Sequence, residues 1–380
     1  MRGCVELRSI VYNGSNDSVL LSKELGVILI GLAVLVFLMA WWGTSRLCLR
    51  TSKLFLLDHP NARSLHAMPT PRTGGVAIIG SLFLGLIADR VMGLMLMSEG
   101  LSWPEQAHLG IWILGLTMLL GFVSFMDDRG GVPVWLRLGC QFAVSGILAI
   151  GAGLLFPVIQ LPSFGVIELG WMGITITILF LVWFTNLYNF MDGMDGFAGG
   201  MTTLGCGFMA YFAWKAGHEF ILVSALLLSA ASAGFLAYNF PPAKIFMGDV
   251  GSVVSGFLCG ALIVLGCRDG VFDVWVPFIL FSPFILDATV TLIRRIWQGE
   301  KVWVAHRRHY YQRLVLSGWG HRRTVLAEYA LMAFCGGVAM LYQHAAEEWR
   351  VAILGGWVML FVFLALAVRG REQQMQPVSS

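Results

Sequence analysis

The sequence predicts an all-α polytopic membrane protein, and composition, run length and the distribution of basic residues carry that prediction. Of 380 residues, 57% are hydrophobic and only 12% are charged, about half the charge of an ordinary soluble domain. Mean hydropathy is +0.76. The apolar residues fall in long runs, and a run of about 18 or more is long enough to cross hydrocarbon as a helix. The net charge of +3 is spread over many short connections, so the composition points to no nucleic-acid partner.

About eleven spans follow in order: 25–45, 74–96, 108–125, 136–156, 169–189, 199–217, 220–240, 251–267, 274–293, 324–342 and 351–368. They divide the chain into a polar N-terminal lead (1–24), one transmembrane domain (25–368) and a tail (369–380). The first span is too long for a cleaved signal segment and is read as a retained helix. Of the 25 Lys and Arg residues, 17 follow odd-numbered spans and 7 lie on the opposite side, while Arg137 falls inside span four. The positive-inside rule then puts the C-terminus in the cytoplasm and the N-terminus outside it, which is the periplasm if the membrane is a bacterial inner membrane. Seven scattered cysteines show no metal-type spacing and read as small core residues.

The carboxylates sort by type. The expected cytoplasmic side holds Asp58, Asp127, Asp128, Asp192, Asp195 and Asp249 but only Glu300 and Glu372, and five of those Asp sit at the ends of three spans. If the spans bundle, those ends converge on one cytoplasmic cleft. Short, stiff Asp side chains suit metal and phosphate chemistry.

Each motif has a plainer reading beside the chemical one. Asp127 and Asp128 close span three, either as a Mg²⁺ or phosphate-handling pair or as a solvated stop with Arg129 for a partner. In KIFMGDVGS, Asp249 and Ser252 lie near a helix N-terminus, where anions are favoured, and Asp249 could equally be an N-cap. In NLYNFMDGMDG, Asn186, Asn189, Asp192 and Asp195 recur every third residue, which on a helix puts them on one face able to bind a sugar, a base edge or a hydrated cation. His306, Arg307, Arg308 and His309 suit a diphosphate or, more simply, anionic lipid. Arg63, His66 and Arg72 in the first long loop could hold phosphates. Asp287 lies mid-span, two turns from Arg294, as a functional carboxylate or a structural polar contact.

Taken in order, DHPNARSLHAMPTPRTGG, DDRGG, NLYNFMDGMDGFAGG, FMGDVGS and HRRHYYQRL resemble the motifs of the polyprenyl-phosphate N-acetylhexosamine-1-phosphate transferases, glycosyltransferase family 4. The resemblance extends from residue 58 to 314. It implies transfer of a sugar 1-phosphate from a UDP-N-acetylhexosamine to undecaprenyl phosphate, with release of UMP. It also implies Mg²⁺ as cofactor, with Mn²⁺ as a substitute, and a homodimer as an option. Carried over by position, it makes Asp249 the metal ligand, with Asp128 assisting at the metal or the phosphates. Asp127 becomes the acid that deprotonates or positions the lipid phosphate. Phe246 stacks on uracil, Gly193, Met194 and Asp195 form the uracil turn, and Asn189 and Asp192 lie near the ribose and diphosphate. His306 and His309 contact phosphates or sugar.

The three-histidine run of the peptidoglycan enzymes is replaced here by His306-Arg307-Arg308-His309. That resembles the branch initiating O-antigen and other surface glycans from UDP-GlcNAc or modified sugars such as FucNAc or QuiNAc. The muramoyl-pentapeptide transferase remains the alternative within the family. A transporter, the alternative outside it, predicts mid-span acids and paired repeats.

Overall fold

The computed structural model describes residues 16–52, 54–60, 65, 68–96, 105–301 and 306–375. In chain order, α1 is Asn16–Leu47, a short strand pair joins β1 (Leu57–Asp58) to β2 (Thr70–Pro71), and α2 is Gly74–Leu96. Then come α3 (Glu105–Gly130) and α4 (Val134–Gly146, continuing as a π-turn through Gly151). A hairpin of β3 (Val158–Leu161) and β4 (Gly165–Glu168) follows, then α5 (Met172–Met191), α6 (Phe197–Ala216), α7 (Glu219–Asn239) and α8 (Gly248–Arg268). The last third holds α9 (Trp275–Leu280), α10 (Ser282–Trp297), α11 (Tyr310–Leu314, with a π-turn to Trp319), α12 (Gly320–His344) and α13 (Glu347–Met375).

Nine helical stretches among the described residues are long and apolar enough to cross a membrane, so the chain is a multi-pass membrane protein. The other two expected spans differ for physical reasons. α6 is long enough, at 20 residues, but its glycines and threonines make it less apolar. The span expected over 274–293 is two helices that part at Phe281, where Pro283 in the first turn of α10 has no N–H to continue the ladder. Two ends also move: α1 starts at Asn16, inside the expected polar lead, and α13 carries the expected tail onward as helix to Met375.

α8 is the axis of the bundle. Every residue from Val250 to Gly266 is buried, as an all-round apolar helix requires. It packs against α2, α3 and α5. The close approach needs small residues: a Cβ on Gly75 of α2 would fall 2.2 Å from the Gly251 nitrogen, and one on Gly256 would fall 2.7 Å from the Tyr188 Cβ. Because α8 is central, its N-terminus sits where α2 begins and where α3 and α5 end.

Candidate functional site

The α8 N-terminus is held by the first loop. Phe246 N–H donates to the Pro71 carbonyl (2.7 Å), Gly74 N–H to Phe246 O (3.0 Å) and Gly75 N–H to Met247 O (2.8 Å). These ladder bonds pass Arg72 beside Gly248. Gly248 has φ +72, and a Cβ there would lie 2.1 Å from Arg72 O and 3.1 Å from Asp128 Oδ2, so only glycine fits.

Asp128 is the residue that caps α8. Its carboxylate accepts from the Asp249 N–H (3.4 Å) and the Val250 N–H (3.2 Å), two of the donors a helix start leaves without partners. Asp249 therefore stands in the first turn and is not the N-cap that the sequence allowed. The Arg72 guanidinium donates to the Asp128 carbonyl and lies 3.8 Å from its carboxylate. Arg129 is not the partner of either acid; it lies over the Phe125 ring at 4.6 Å.

Asp127 turns the other way. α3 continues through both acids and ends in a tight turn at Gly130–Gly131, and the Val132 N–H donates to Asp127 Oδ1 (2.6 Å). That turn sends α4 back past α3, which brings Arg137 onto Asp127. Arg137 Nη1 donates to Asp127 Oδ2 and, at 3.0 Å, to Asp249 Oδ2. The other Asp249 oxygen accepts from Asn189 Nδ2 (2.9 Å), which also donates to Ser252 Oγ (3.0 Å). One guanidinium thus bridges acids from two helices, and one amide of α5 completes the shell.

The four polar residues of NLYNFMDGMDG do not share a face. Asn186 donates to Gln141 Oε1 of α4 (2.5 Å) and the Val182 carbonyl (2.7 Å), which ties α4 to α5 away from the acids. Asn189 reaches Asp249. α5 ends at Met191, so Asp192 is its C-cap and the helical spacing stops there. Asp195 lies in the following turn. Its Oδ2 accepts from the Ala243 N–H (3.0 Å), and its Oδ1 is 3.3 Å from His321 Nδ1 of α12. Met194 is buried in the core. Gly193 is explained by packing: a Cβ there would lie 2.2 Å from Tyr311 Oη.

The histidine segment folds against that turn. Tyr311 is fully buried, with its ring 4.9 Å from Phe197. His309 is buried and 3.2 Å from Asp287 Oδ1, while the Tyr310 and Tyr311 N–H groups donate to the two Asp287 oxygens at 2.8 and 3.1 Å. Asp287 is therefore a polar contact that caps α11, and it does not pair with Arg294. His306 lies with its ring 4.9 Å from that of His309. Burial, and then the neighbouring cations, lower its pKa to about 4. Arg308 donates to Gln298 (3.0 Å) and Glu300. Arg307 and Arg308 line a separate cavity with the end of α10, whose lining includes none of the Asp residues of the cluster. His66 and Arg63 lie outside the described residues.

The structure thus gathers Asp127, Asp128, Asp249, Asn189 and Arg72, with Arg137 as the member that motif reading passes over. Its signal was present, since an arginine inside an apolar run is costly unless it is paired. His321 and Asn239 were also missed. The Asn239 side chain accepts from Gly196 N–H (2.9 Å) and donates to Ile245 O (2.9 Å), which bolts the MDG turn to the FMGD loop. A buried Asn at a helix end carries no sequence signature.

Asp192 is the electrostatic exception. Its side chain makes no hydrogen bond or ion pair among the described residues. Burial, and then the Asp249, Asp128, Asp195 and Asp58 carboxylates, hold its pKa well above the usual carboxylate range. Among the described residues no three His, Cys, Asp or Glu side chains form a metal cage by themselves. Mg²⁺ needs none, because it is usually held by one or two carboxylates plus substrate phosphates. A carboxylate ringed by acids and lacking a partner fits such a cation.

The family model for glycosyl transferase family 4 matches residues 110–267, which contain the α3 acids, the α5 turn and the α8 N-terminus. The chain is 30% identical over 321 residues to a "Probable undecaprenyl-phosphate N-acetylglucosaminyl 1-phosphate transferase" of Bacillus subtilis, covering 84% of this chain and 86% of that protein. The chain belongs to glycosyltransferase family 4. This transferase is also 30% identical over 353 residues to a decaprenyl-phosphate N-acetylglucosaminephosphotransferase of Mycobacterium tuberculosis, with 85% and 83% coverage. To a phospho-N-acetylmuramoyl-pentapeptide-transferase of Lacticaseibacillus paracasei it is 25% identical over 310 residues, with 78% and 84% coverage. It is a sugar-phosphate transferase.

Proposed function

We propose that this family-4 transferase moves N-acetylhexosamine 1-phosphate from a UDP-sugar to undecaprenyl phosphate, and so initiates O-antigen or another surface glycan. A lipid phosphate oxygen attacks the sugar-bearing phosphorus of the UDP-sugar. A new P–O–P linkage forms, the old anhydride breaks and UMP leaves. One anhydride replaces another, so the protein has to position two anions and offset their charge.

The observation that carries this reading is the Asp127–Arg137–Asp249 bridge. Arg137 puts a guanidinium between an acid of α3 and an acid of α8, where two phosphates can be drawn together. Asp127 is the acceptor for the lipid phosphate's proton, and Asn189 orients Asp249. Asp249 and Asp192, with Asp128 behind them, would hold Mg²⁺. When bound, that cation screens the charge between the phosphates. Asp195, bonded to Ala243 in the middle of the 239–247 loop, and Phe246, bonded to Pro71 near the loop's end, form the nucleotide side, and His306 and His309 the sugar side. The bundle crosses the membrane eleven times with this cleft in the cytoplasm, as the 17 basic residues on that side support.

The test is purified protein in detergent with labelled UDP-N-acetylhexosamines, undecaprenyl phosphate and Mg²⁺, read as UMP release. Silence with every sugar of the panel, including UDP-MurNAc-pentapeptide, ends the proposal, and the sugar that works identifies the branch. Asp249→Ala and Asp127→Asn are expected to abolish turnover while the protein still inserts. Near-wild-type rates in both would remove the site.

A further inference from the structure

We propose that, beside the cleft, the protein seats an anionic phospholipid, with its phosphate in a basic cavity and its acyl chain in the apolar groove that opens from it. The proposal rests on the membrane-spanning arrangement of α10, α12 and α13 and not on the transfer reaction.

The cavity has a volume of about 720 Å³ and is walled by Arg294, Arg295, Arg307, Arg308 and Arg313, against two carboxylates, Glu300 and Glu372. Both carboxylates are already engaged. Glu300 accepts from Arg295 (3.0 Å) and Arg308, and Glu372 accepts from Arg313 Nε (2.6 Å) and Nη2. Arg294 is exposed and forms no ion pair with a described residue. The balance is an excess of positive charge around a space large enough for a phosphodiester headgroup.

A second cavity of about 860 Å³ shares Val290 and Tyr310 with the first and runs between α10, α12 and α13. Leu286, Leu331, Trp357 and Phe361 give it apolar walls, and Arg369 and Arg371 lie at its rim. Its carboxylates are Asp287, engaged in capping α11, and Glu328. A basic chamber that opens into an apolar slot matches the two ends of a lipid.

The level in the membrane agrees. Arg294 and Arg295 occupy the last turn of α10, Tyr310 starts one membrane-length stretch, and Glu372 lies one residue inside the end of another. The last turn of α10 therefore lies level with the ends of two membrane-length stretches, where headgroup phosphates are met. Asp127, Asp128, Asp192 and Asp249 line neither cavity. A phosphate seated here is therefore away from the acids, which favours a bulk phospholipid over the reacting lipid. Asp287 forms a wall shared with the His309–Tyr311 segment, so an occupied groove stiffens that segment.

The experiment titrates the full-length protein in neutral detergent with phosphatidylglycerol or phosphatidylcholine of identical chains and reads retained lipid by native mass spectrometry. One phosphatidylglycerol per chain should bind about tenfold tighter than phosphatidylcholine. Arg294→Gln should weaken phosphatidylglycerol about fivefold and leave phosphatidylcholine unchanged. Ala365→Trp, which fills the groove, should weaken both lipids. Asp249→Ala should bind phosphatidylglycerol as the wild type does, so a failed transfer assay and a failed lipid site are told apart. Equal affinity for the two phospholipids overturns the proposal. So does one-for-one displacement of phosphatidylglycerol by undecaprenyl phosphate, which would make the seat the acceptor's, or displacement by millimolar inorganic phosphate, which would leave the groove without a role.

Discussion

Removing the Asp128 carboxylate should cost stability before it costs chemistry. The side chain is 4% exposed and accepts from two N–H groups at the α8 N-terminus, at 3.4 and 3.2 Å. Losing an N-cap costs about 1 kcal/mol, and losing an anion at a helix N-terminus about 0.5–1 kcal/mol more. Leaving Arg72 without its partner, 3.8 Å away and partly buried, adds a similar amount. The sum for Asp128→Ala is about 2–3 kcal/mol. An unfolding entropy of about 2.1 cal/mol/K per residue, over 380 residues, makes that a fall in Tm of about 3–4 °C. Asp128→Asn keeps an acceptor oxygen and should recover about half of it. The assay is thermal unfolding of the purified protein in EDTA, where no divalent cation contributes. An unshifted Tm for Asp128→Ala in EDTA would refute the capping argument and leave the Asp128 carboxylate to the metal alone.

Thermal unfolding also reads out substitutions at Gly193, Asp192 and His306. Gly193→Ala should destabilise by about 1–3 kcal/mol through overpacking against Tyr311 Oη, 2.2 Å from the new Cβ, and Tyr311→Phe in the same chain should rescue it; a double variant no better than the single one contradicts the close approach. Asp192 holds its proton to higher pH than in the unfolded chain, so cation-free stability should fall as pH rises from the ordinary carboxylate range through its raised native pKa, and level off above. Asp192→Asn should lose that slope and the Mg²⁺-dependent rise in Tm, and an unchanged pH profile would exclude the like-charge cluster as its cause. His306 stays neutral in the fold down to about pH 4, whereas an unfolded imidazole protonates near 6.5, so it contributes stability that grows with pH between those values and is flat above. His306→Gln should flatten that segment of the stability curve, and an identical slope would mean the imidazole is not held neutral.

The sequence by itself determined the class of protein and the ingredients of the site. Run length and low charge make the chain a helical membrane bundle whatever the packing, because backbone groups in hydrocarbon must pair within their own helix. The parity of the spans and the distribution of Asp pointed to a common end for Asp127, Asp128, Asp192 and Asp249. The tertiary structure decided who partners whom. Local spacing suggested that Asp249 caps its own helix, that Arg129 answers the α3 acids and that Asn186 joins Asp192 on one face. Each failed because the partner comes from another helix: Asp128 caps α8 from α3, Arg137 returns along α4, and Asn186 turns to Gln141. Phe281, where the ninth expected span breaks, and Gly193, which Tyr311 requires to be small, were invisible for the same reason. A hydropathy run records whether a helix can be buried in lipid. Which side chains meet across the bundle depends on helix rotation and on the close contacts glycine permits, and those are set only when α8 is packed on every side.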